Sequence, residues 1–225
     1  MRLVRGEFVL DADLAVEPGA RIAVMGASGS GKSTLLDLIA GFAEPERGRV
    51  LWEGRSLTPL PPGERPVSML FQDSNLFPHL TAEANVGLGI SPALRLSVED
   101  RGRVAEALAA VGLGGMGARR PAALSGGQRS RVALARLLVQ ARPIALVDEP
   151  FAALGPALRA EMLELMAQLL DQTDATLLMV THAPDDARRL CPQTVLVEGG
   201  RANAPAPTGA LLDDPPEALR DYLGG

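Results

Sequence analysis

The chain has 225 residues, of which 47% are hydrophobic and 22% charged, the profile of a soluble globular protein with a sizeable core. Its 22 basic and 27 acidic residues give a net charge of −5, which argues against a nucleic-acid-binding protein. The sequence lacks an apolar run of the roughly 18 residues that span a bilayer, a signal peptide and a second cysteine. We therefore expect a reduced protein that neither crosses the membrane nor is secreted.

A glycine-rich loop lies between the first predicted buried strand and the first predicted helix. Residues 22–25 form the apolar run, and residues 34–40 form a helical run that stops at Gly41. The segment between them fits the phosphate-binding pattern G-x-x-x-x-G-K-[ST]. Lys32 is the one lysine among the 22 basic residues, at the position where a compact point charge is needed. The predicted ATP-binding residues are Gly26, Ala27, Ser28, Gly29, Ser30, Gly31, Lys32, Ser33 and Thr34.

The segment that follows residue 72 is predicted to be mainly helical. Ser97 can cap a helix in which Val104, Leu108 and Val111 share one face before Gly112 ends it. Ahead of this helix, the loop-like residues 76–80 are rich in apolar side chains. Such side chains are either tucked under the fold or exposed for a partner.

A second predicted anion site lies at residues 124–128, Leu-Ser-Gly-Gly-Gln, ahead of a helix in which Val132, Ala135 and Val139 share a face. Ser125 at this position is also what an ordinary helix cap would require. The chain thus has two helix starts that could bind phosphate but one loop with a lysine. This is compatible with a two-fold dimer in which each site combines one half from each chain.

Two adjacent carboxylates end the next predicted strand, the apolar run 144–147. Successive strand side chains point to opposite sides, so the two acids can serve different roles. Asp148 is predicted to hold the coordination shell of Mg²⁺, and Glu149 is predicted to act as the base on the attacking water.

Residues 124–128 look like the signature motif of ATP-binding cassette (ABC) proteins, and the whole chain resembles the cassette subunit of a bacterial importer. The resemblance implies a P-loop α/β fold with a RecA-like mixed sheet core and an inserted helical subdomain. It places one nucleotide-binding domain over 1–225, with the core at about 1–72 and 140–210, the helical subdomain at about 73–139 and a tail at 211–225. It also implies a head-to-tail homodimer that closes over two ATP molecules. Residues contacting the partner's ATP would be Leu124, Ser125, Gly126, Gly127 and Gln128.

The resemblance extends to the catalytic residues. Gln72 matches the glutamine that senses Mg²⁺ and the membrane partner, and His182 matches the histidine that contacts the γ-phosphate. The implied catalytic residues are Glu149, His182 and Gln72, and the implied Mg²⁺ ligands are Ser33, Gln72 and Asp148.

The implied partners are a separate permease, either two-subunit or fused, and through it a periplasmic or surface substrate-binding protein. The chain would lie on the cytoplasmic face of the inner membrane as a peripheral protein. Segments 65–72, 75–81, 85–89 and 176–182 look closely like the cassettes of thiamine importers, so thiamine is the expected cargo. Importers of ferric iron, polyamines, molybdate or sulfate, and a non-transport ABC ATPase, remain alternatives.

Two positions depart from the family pattern. Gly155 stands where an aspartate usually follows the carboxylate strand, which puts communication across the dimer in question. Arg5 stands about where an adenine-stacking aromatic belongs, and most of the opening strand is expected to be missing. A stacking arginine or a start codon placed too far downstream would each account for the second departure.

Overall fold

The computed structural model describes residues 1–72, 75–217 and 219–220. Strands are numbered in chain order as β1 Arg2–Arg5, β2 Phe8–Ala12, β3 Arg21–Met25, β4 Leu51–Trp52, β5 Arg55–Ser56, β6 Val67–Leu70, β7 Ile144–Asp148, β8 Thr176–Val180, β9 Gln193–Glu198, β10 Arg201–Ala202 and β11 Ala206–Pro207. Helices are α1 Lys32–Ala40, α2 Ala82–Gly87, α3 Val98–Ala110, α4 Gly126–Gln140, α5 Pro156–Thr173, α6 Pro184–Leu190 and α7 Thr208–Asp213.

The chain forms two compact units. The first comprises residues 1–67 and the part from residue 175 onward, and the second comprises residues 68–174. The predicted division into a core and a helical subdomain stays a prediction. Its segment 73–139 begins on two residues outside the described part, and residues 218 and 221–225 of the predicted tail also lie outside it.

The first unit is built on a mixed sheet with the strand order β1-β2-β10-β9-β3-β8, and β11 pairs with β9. Parallel pairing joins β3 to β8 and β9, whereas β1 runs antiparallel to β2. Ile22, Val24 and Met25 of β3 are fully buried, as expected for a parallel strand covered on both faces. The carboxyl ends of β3 and β8 meet at one edge of this sheet, because Val24 is in register with Val180.

Helix α1 follows the glycine-rich loop directly. Its buried side chains include Leu35, Leu36 and Leu38, and Gly41 ends it in the left-handed conformation with a φ of +90°. The structure confirms the predicted strand, loop and helix. The helix starts at Lys32, two residues before the predicted start, because its first turn forms part of the loop.

The second unit contains β6 from Ser68 onward, β7 and helices α2 to α5. The Ser68 hydroxyl in β6 donates to the Ile144 carbonyl in β7. Helix α3 begins with a capping box in which Ser97 and Asp100 satisfy each other's backbone N–H groups, so the predicted Ser97 cap is confirmed. The Asp100 carboxylate accepts hydrogen bonds from both the amide and the hydroxyl of Ser97, and these hold the pKa of the Asp100 carboxyl below its usual value. In the described part of the chain, no helix is both long and apolar enough to cross a membrane.

Candidate nucleotide-binding site

The loop between β3 and α1 has a backbone that only glycine can follow at its first residue. Gly26 has a φ of +146°, and a Cβ there would lie 2.1 Å from the carbonyl oxygen of Val197 in β9. Any side chain would therefore push the loop away from the sheet. This close approach places residues 26–31 over the carboxyl end of β3, immediately before the N-terminus of α1, where the helix dipole favours an anion.

Lys32 binds the backbone of the loop from its concave side. Its Nζ atom donates hydrogen bonds to the carbonyl oxygens of Gly26 at 2.8 Å and Ala27 at 2.9 Å. The residue is only 6% exposed, so its positive charge is concentrated in the curve of the loop rather than in solvent. A phosphate group placed in this curve would face a fixed ammonium group.

Ser30 provides a test of whether the loop fits a ligand. Its Oγ atom is buried and has no hydrogen-bond partner among the residues the structure describes. Buried hydroxyl groups are normally satisfied, and one that is not points to a group supplied from outside the chain. A phosphate oxygen in the loop would satisfy it, so the chemistry of the loop fits a nucleoside triphosphate.

His182 lies at the same edge of the first unit. It follows β8, whose end is tied to β3 by the hydrogen bond from the Thr181 amide to the Val24 carbonyl. The Thr181 hydroxyl accepts a hydrogen bond from the Ala183 amide and donates to Asp186, which holds the turn that carries His182. The exposed His182 is thereby brought to the edge where the phosphate loop begins.

The start of the chain also contributes to this region. The opening strand, expected to be mostly missing, is present as β1, and it ends at Arg5 opposite Phe8 of β2. The ring of Phe8 packs against Gly31, since a Cβ on that glycine would lie 2.9 Å from the ring. Sequence reasoning missed Phe8, because no local pattern connects it to a loop more than twenty residues later.

The two predicted carboxylates lie in the second unit. Asp148 is the last residue of β7, and Glu149 follows with a φ of +45°. A positive φ is uncommon for a residue other than glycine, and such conformations concentrate at functional sites. Both side chains are half-buried, whereas Gln72, just after β6, is exposed.

The signature residues start helix α4 with a second capping box. The Ser125 hydroxyl accepts from the Gln128 amide at 3.2 Å, and the Gln128 side-chain oxygen accepts from the Ser125 amide at 3.0 Å. A hydroxyl group that accepts one bond keeps its own proton to donate, and Ser125 is exposed. Gly127 is buried against Leu158 of α5, and a Cβ there would lie 2.7 Å from the leucine methyl. The Leu124 side chain is buried in the second unit.

The described residues give little support for a further metal site or for a cysteine nucleophile. They contain no group of three or more histidine, cysteine or acidic side chains that could hold a metal ion. Burial raises the pKa of the Cys191 thiol to about 12, which keeps it protonated and unreactive near neutral pH. The Mg²⁺ ligands predicted from the sequence, Ser33, Gln72 and Asp148, are of the kind that bind this ion together with phosphate oxygens.

Gly155 occupies the N-cap position of α5 without any side-chain cap. Its φ of −65° and ψ of 158° suit an aspartate, and a Cβ there would meet no atom within 4 Å. We expect Gly155→Asp to raise the free energy of unfolding by about 0.5 kcal/mol, through a new hydrogen bond to the first turn and its dipole. Urea denaturation would measure the change. Gly155→Ala is the matched control and should bring no capping stabilisation, because alanine is a poorer N-cap residue than glycine. Equal effects of the two variants would contradict the capping explanation.

Comparison with known proteins identifies the family. Residues 9–152 match the family model of the ABC transporter. The chain belongs to the ABC transporter family. Its ABC relatives include the thiamine import ATP-binding protein ThiQ of Cereibacter sphaeroides, 64% identical over 220 residues that cover 98% of this chain and 95% of that protein. ThiQ of Ruegeria sp. is 57% identical with the same coverage.

Solved ABC structures confirm the fold. The dimeric ATP-binding cassette MJ0796 in a post-hydrolysis state with ADP and Pi has a TM-score of 0.78, at 30% identity over 92% of this chain and 95% of that one. CbiO1 of Clostridium perfringens, part of the transporter complex CbiONQ, also gives a TM-score of 0.78, at 26% identity over 88% of this chain and 81% of that one. The predicted P-loop ABC fold and the ABC resemblance are confirmed, and the chain is an ABC ATPase.

Proposed function

We propose that this chain is the ATP-binding and ATP-hydrolysing subunit of a bacterial importer that takes up thiamine through a separate permease. The observation that supports thiamine as the cargo is the similarity of this chain to proteins named as thiamine import ATP-binding proteins, at 64% identity across 98% of the chain. Two copies would pair head to tail on the cytoplasmic face of the inner membrane, as peripheral partners of the permease. A substrate-binding protein would deliver the cargo to that permease.

In this proposal the first unit binds the triphosphate. Lys32 and the Ser30 hydroxyl stabilise the negative charge of the phosphates, and the N-terminus of α1 adds its dipole. His182 contacts the γ-phosphate from the end of β8. The Ser125 hydroxyl proton and the backbone around Gly127 in the partner copy bind the same phosphate from the other side, which makes hydrolysis depend on dimer closure.

Glu149 acts as the general base that orients and polarises the attacking water. Ser33, Gln72 and Asp148 would hold Mg²⁺, which supplies neutralisation of the phosphate charge when it is bound. With a φ of +45°, the backbone of Glu149 departs from the extended conformation of the strand that Asp148 completes. This local backbone change supports separate roles for the two neighbouring carboxylates.

The permease-facing surface is proposed to be residues 75–80, here called the docking loop. Phe77 in this loop is 48% exposed, and its ring meets His79 edge to face at a centroid distance of 6.0 Å. The fully buried Asn85 of α2 holds the docking loop through side-chain hydrogen bonds. Its side chain accepts from the Phe77 amide at 2.7 Å and donates to the carbonyls of Phe77 and Thr81 at 3.1 and 3.0 Å.

We expect Asn85→Ala to uncouple the chain from its permease. Loss of the hydrogen bonds frees the docking loop, whereas the phosphate loop is part of the other unit. Hydrolysis by the isolated chain should stay within about twofold, while permease-dependent stimulation should fall by about tenfold or more, the cost of losing about 1.4 kcal/mol of binding. Phe77→Ala, which removes the exposed ring without touching Asn85, should give the same pattern. Full stimulation in both variants would contradict the assignment of this surface.

Uptake into liposomes tests the cargo. The chain is reconstituted with its permease and binding protein, ATP is enclosed on the cassette side, and radiolabelled thiamine is supplied on the other. Matched assays supply ferric iron, a polyamine, molybdate and sulfate. The proposal expects ATP-dependent uptake of thiamine alone, and uptake of another solute would reassign the cargo while leaving the transport ATPase in place. Hydrolysis without association with any permease would support the non-transport alternative.

A further inference from the structure

The turn that carries His182 is closed by the side chain of the residue before it. The Thr181 hydroxyl accepts a hydrogen bond from the Ala183 amide at 3.1 Å, so the acceptor and the donor lie on either side of His182. In such a turn a threonine hydroxyl replaces the backbone group that would otherwise close it. The backbone of His182 is therefore enclosed in a small hydrogen-bonded ring.

Thr181 is also fixed to the strand that leads to the phosphate loop. Its amide donates to the Val24 carbonyl at 3.3 Å, and Val24 lies two residues before the loop begins at Gly26. The Thr181 residue is 2% exposed, so its side chain is held in place by close packing. The turn around His182 thus has a defined position relative to the phosphate loop.

Asp186, in the first turn of α6, gives the Thr181 hydroxyl a second partner. The carboxylate is 7% exposed and accepts from this hydroxyl across a long contact of 3.4 Å. A hydroxyl group can donate one hydrogen bond while it accepts another, so Thr181 serves the carboxylate and the Ala183 amide at the same time. We call these three groups the threonine bridge. The bridge joins the turn to α6, which packs against β3.

A second buried threonine holds the opposite end of α6. The Thr208 hydroxyl donates to the carbonyl of Cys191, the residue that follows the helix, at 2.6 Å. Because its one proton is used there, the Thr194 hydroxyl is the donor in the 2.8 Å contact between the two threonines. This end is roughly 10 Å along α6 from the end that follows His182. Thr208 is therefore a matched control for Thr181.

We propose that Thr181 is a positioning residue for ATP hydrolysis, because the threonine bridge holds His182 at the edge where the γ-phosphate is bound. A side chain that contacts the transferred phosphate is effective only in its correct position, and a displacement of about 1 Å can cost a large part of the rate. Thr181 acts through His182 in this account. The inference rests on the proposed contact between His182 and the γ-phosphate.

Turnover measurements on the full chain separate positioning from folding. Thr181→Val removes the hydroxyl but keeps the branched shape, and it should lower kcat by about tenfold. The KM for ATP should stay within about twofold, because the phosphate loop still binds the triphosphate. Thr181→Ser restores a hydroxyl and should turn over ATP like the parent chain. Thr208→Val also removes a buried hydroxyl, so it should lower the urea midpoint while leaving kcat unchanged.

A double-mutant cycle tests whether Thr181 acts through His182. His182→Ala should itself lower kcat, and adding Thr181→Val to it should lower kcat further by less than about twofold. A further tenfold loss in the double variant would show an independent effect and overturn the proposal. Equal losses of kcat in Thr181→Val and Thr208→Val would overturn it as well, since the effect would then be one of stability.

Nuclear magnetic resonance observes the histidine ring directly. The chain contains two histidines, His79 and His182, so their ring signals can be assigned with His79→Gln. The His182 signals should shift in Thr181→Val and keep their parent positions in Thr181→Ser and Thr208→Val. Unchanged His182 signals in Thr181→Val would overturn the proposal. Shifted signals together with parent-like turnover in His182→Ala would instead contradict the proposed contact of His182 with the γ-phosphate, so the two failures are distinguishable.

Discussion

Glu149→Gln should lower ATP turnover by about a hundredfold or more while ATP binding is retained. The amide has nearly the shape of the carboxylate but cannot accept the proton of the attacking water, and general base catalysis contributes at least about this factor. The backbone at this position has a φ of +45°, which glutamine tolerates no worse than glutamate. Bound ATP should therefore persist and accumulate a closed dimer, detectable by size-exclusion chromatography with ATP and Mg²⁺.

The matched control for this variant is Glu106→Gln. It makes the same chemical change at an exposed position of α3 and should leave turnover unchanged. Lys32→Ala should lose turnover for a different reason, since it binds ATP poorly and forms no ATP-dependent dimer. Rapid hydrolysis by Glu149→Gln would refute the assignment of the general base.

Arg65→Met should destabilise the chain by about 3 to 5 kcal/mol, because several backbone carbonyls lose a charged donor and each buried acceptor left unsatisfied costs about 1 to 3 kcal/mol. Arg65 is 1% exposed and caps the end of α1, where its Nη1 atom donates to the Leu38 and Ile39 carbonyls at 2.7 and 3.0 Å. Its other nitrogens donate to the Thr58 and Leu60 carbonyls at 3.1 and 2.9 Å. Methionine fills similar space but leaves these four carbonyls without their donors.

Two further variants serve as controls for the Arg65 prediction. Arg65→Lys keeps a charge but lacks the fork that reaches several carbonyls, so it should cost about half as much as Arg65→Met. Arg49→Met at an exposed position should change stability by less than about 0.5 kcal/mol. The urea midpoints of the three variants measure the series. Similar midpoints for Arg65→Met and Arg49→Met would contradict the structural role of the guanidinium.

Local sequence patterns predicted the parts of the site that depend on neighbours in the chain. The loop before Lys32 follows from glycine spacing between an apolar strand and a helix, and its position at the end of β3 is observed. The Ser125 cap follows from the preference of serine for helix starts, and the structure adds Gln128 as its reciprocal partner. In both cases the groups that decide the conformation lie within a few residues of one another.

Long-range contacts account for what sequence reasoning missed. Arg65, between Glu64 and Pro66, has the local pattern of an exposed charge, yet it is buried because carbonyls 26 and 27 residues away need donors. Desolvation in this position lowers the pKa of the Arg65 guanidinium, which Glu44 partly opposes. Phe8 and Asn85 were missed for the same reason, since each acts on a segment that only the folded chain brings into contact.

The backbone at Glu149 could not be predicted either. An apolar run that ends in two acids predicts a strand and two carboxylates, but it carries no signal for a positive φ at the second one. Just beyond this position the chain returns to the core, where Phe151 is buried at 2% exposure. The positive φ is the feature that most supports a special role for Glu149.

The central claim is that this ABC ATPase converts ATP hydrolysis into thiamine import. The most direct measurement is the rate of ATP hydrolysis by the chain assembled with its permease and binding protein in liposomes, with and without thiamine. The account predicts a rate that rises when thiamine-loaded binding protein is present and disappears with Glu149→Gln. A rate that is indifferent to thiamine but responds to another solute in its matched system would contradict the claim.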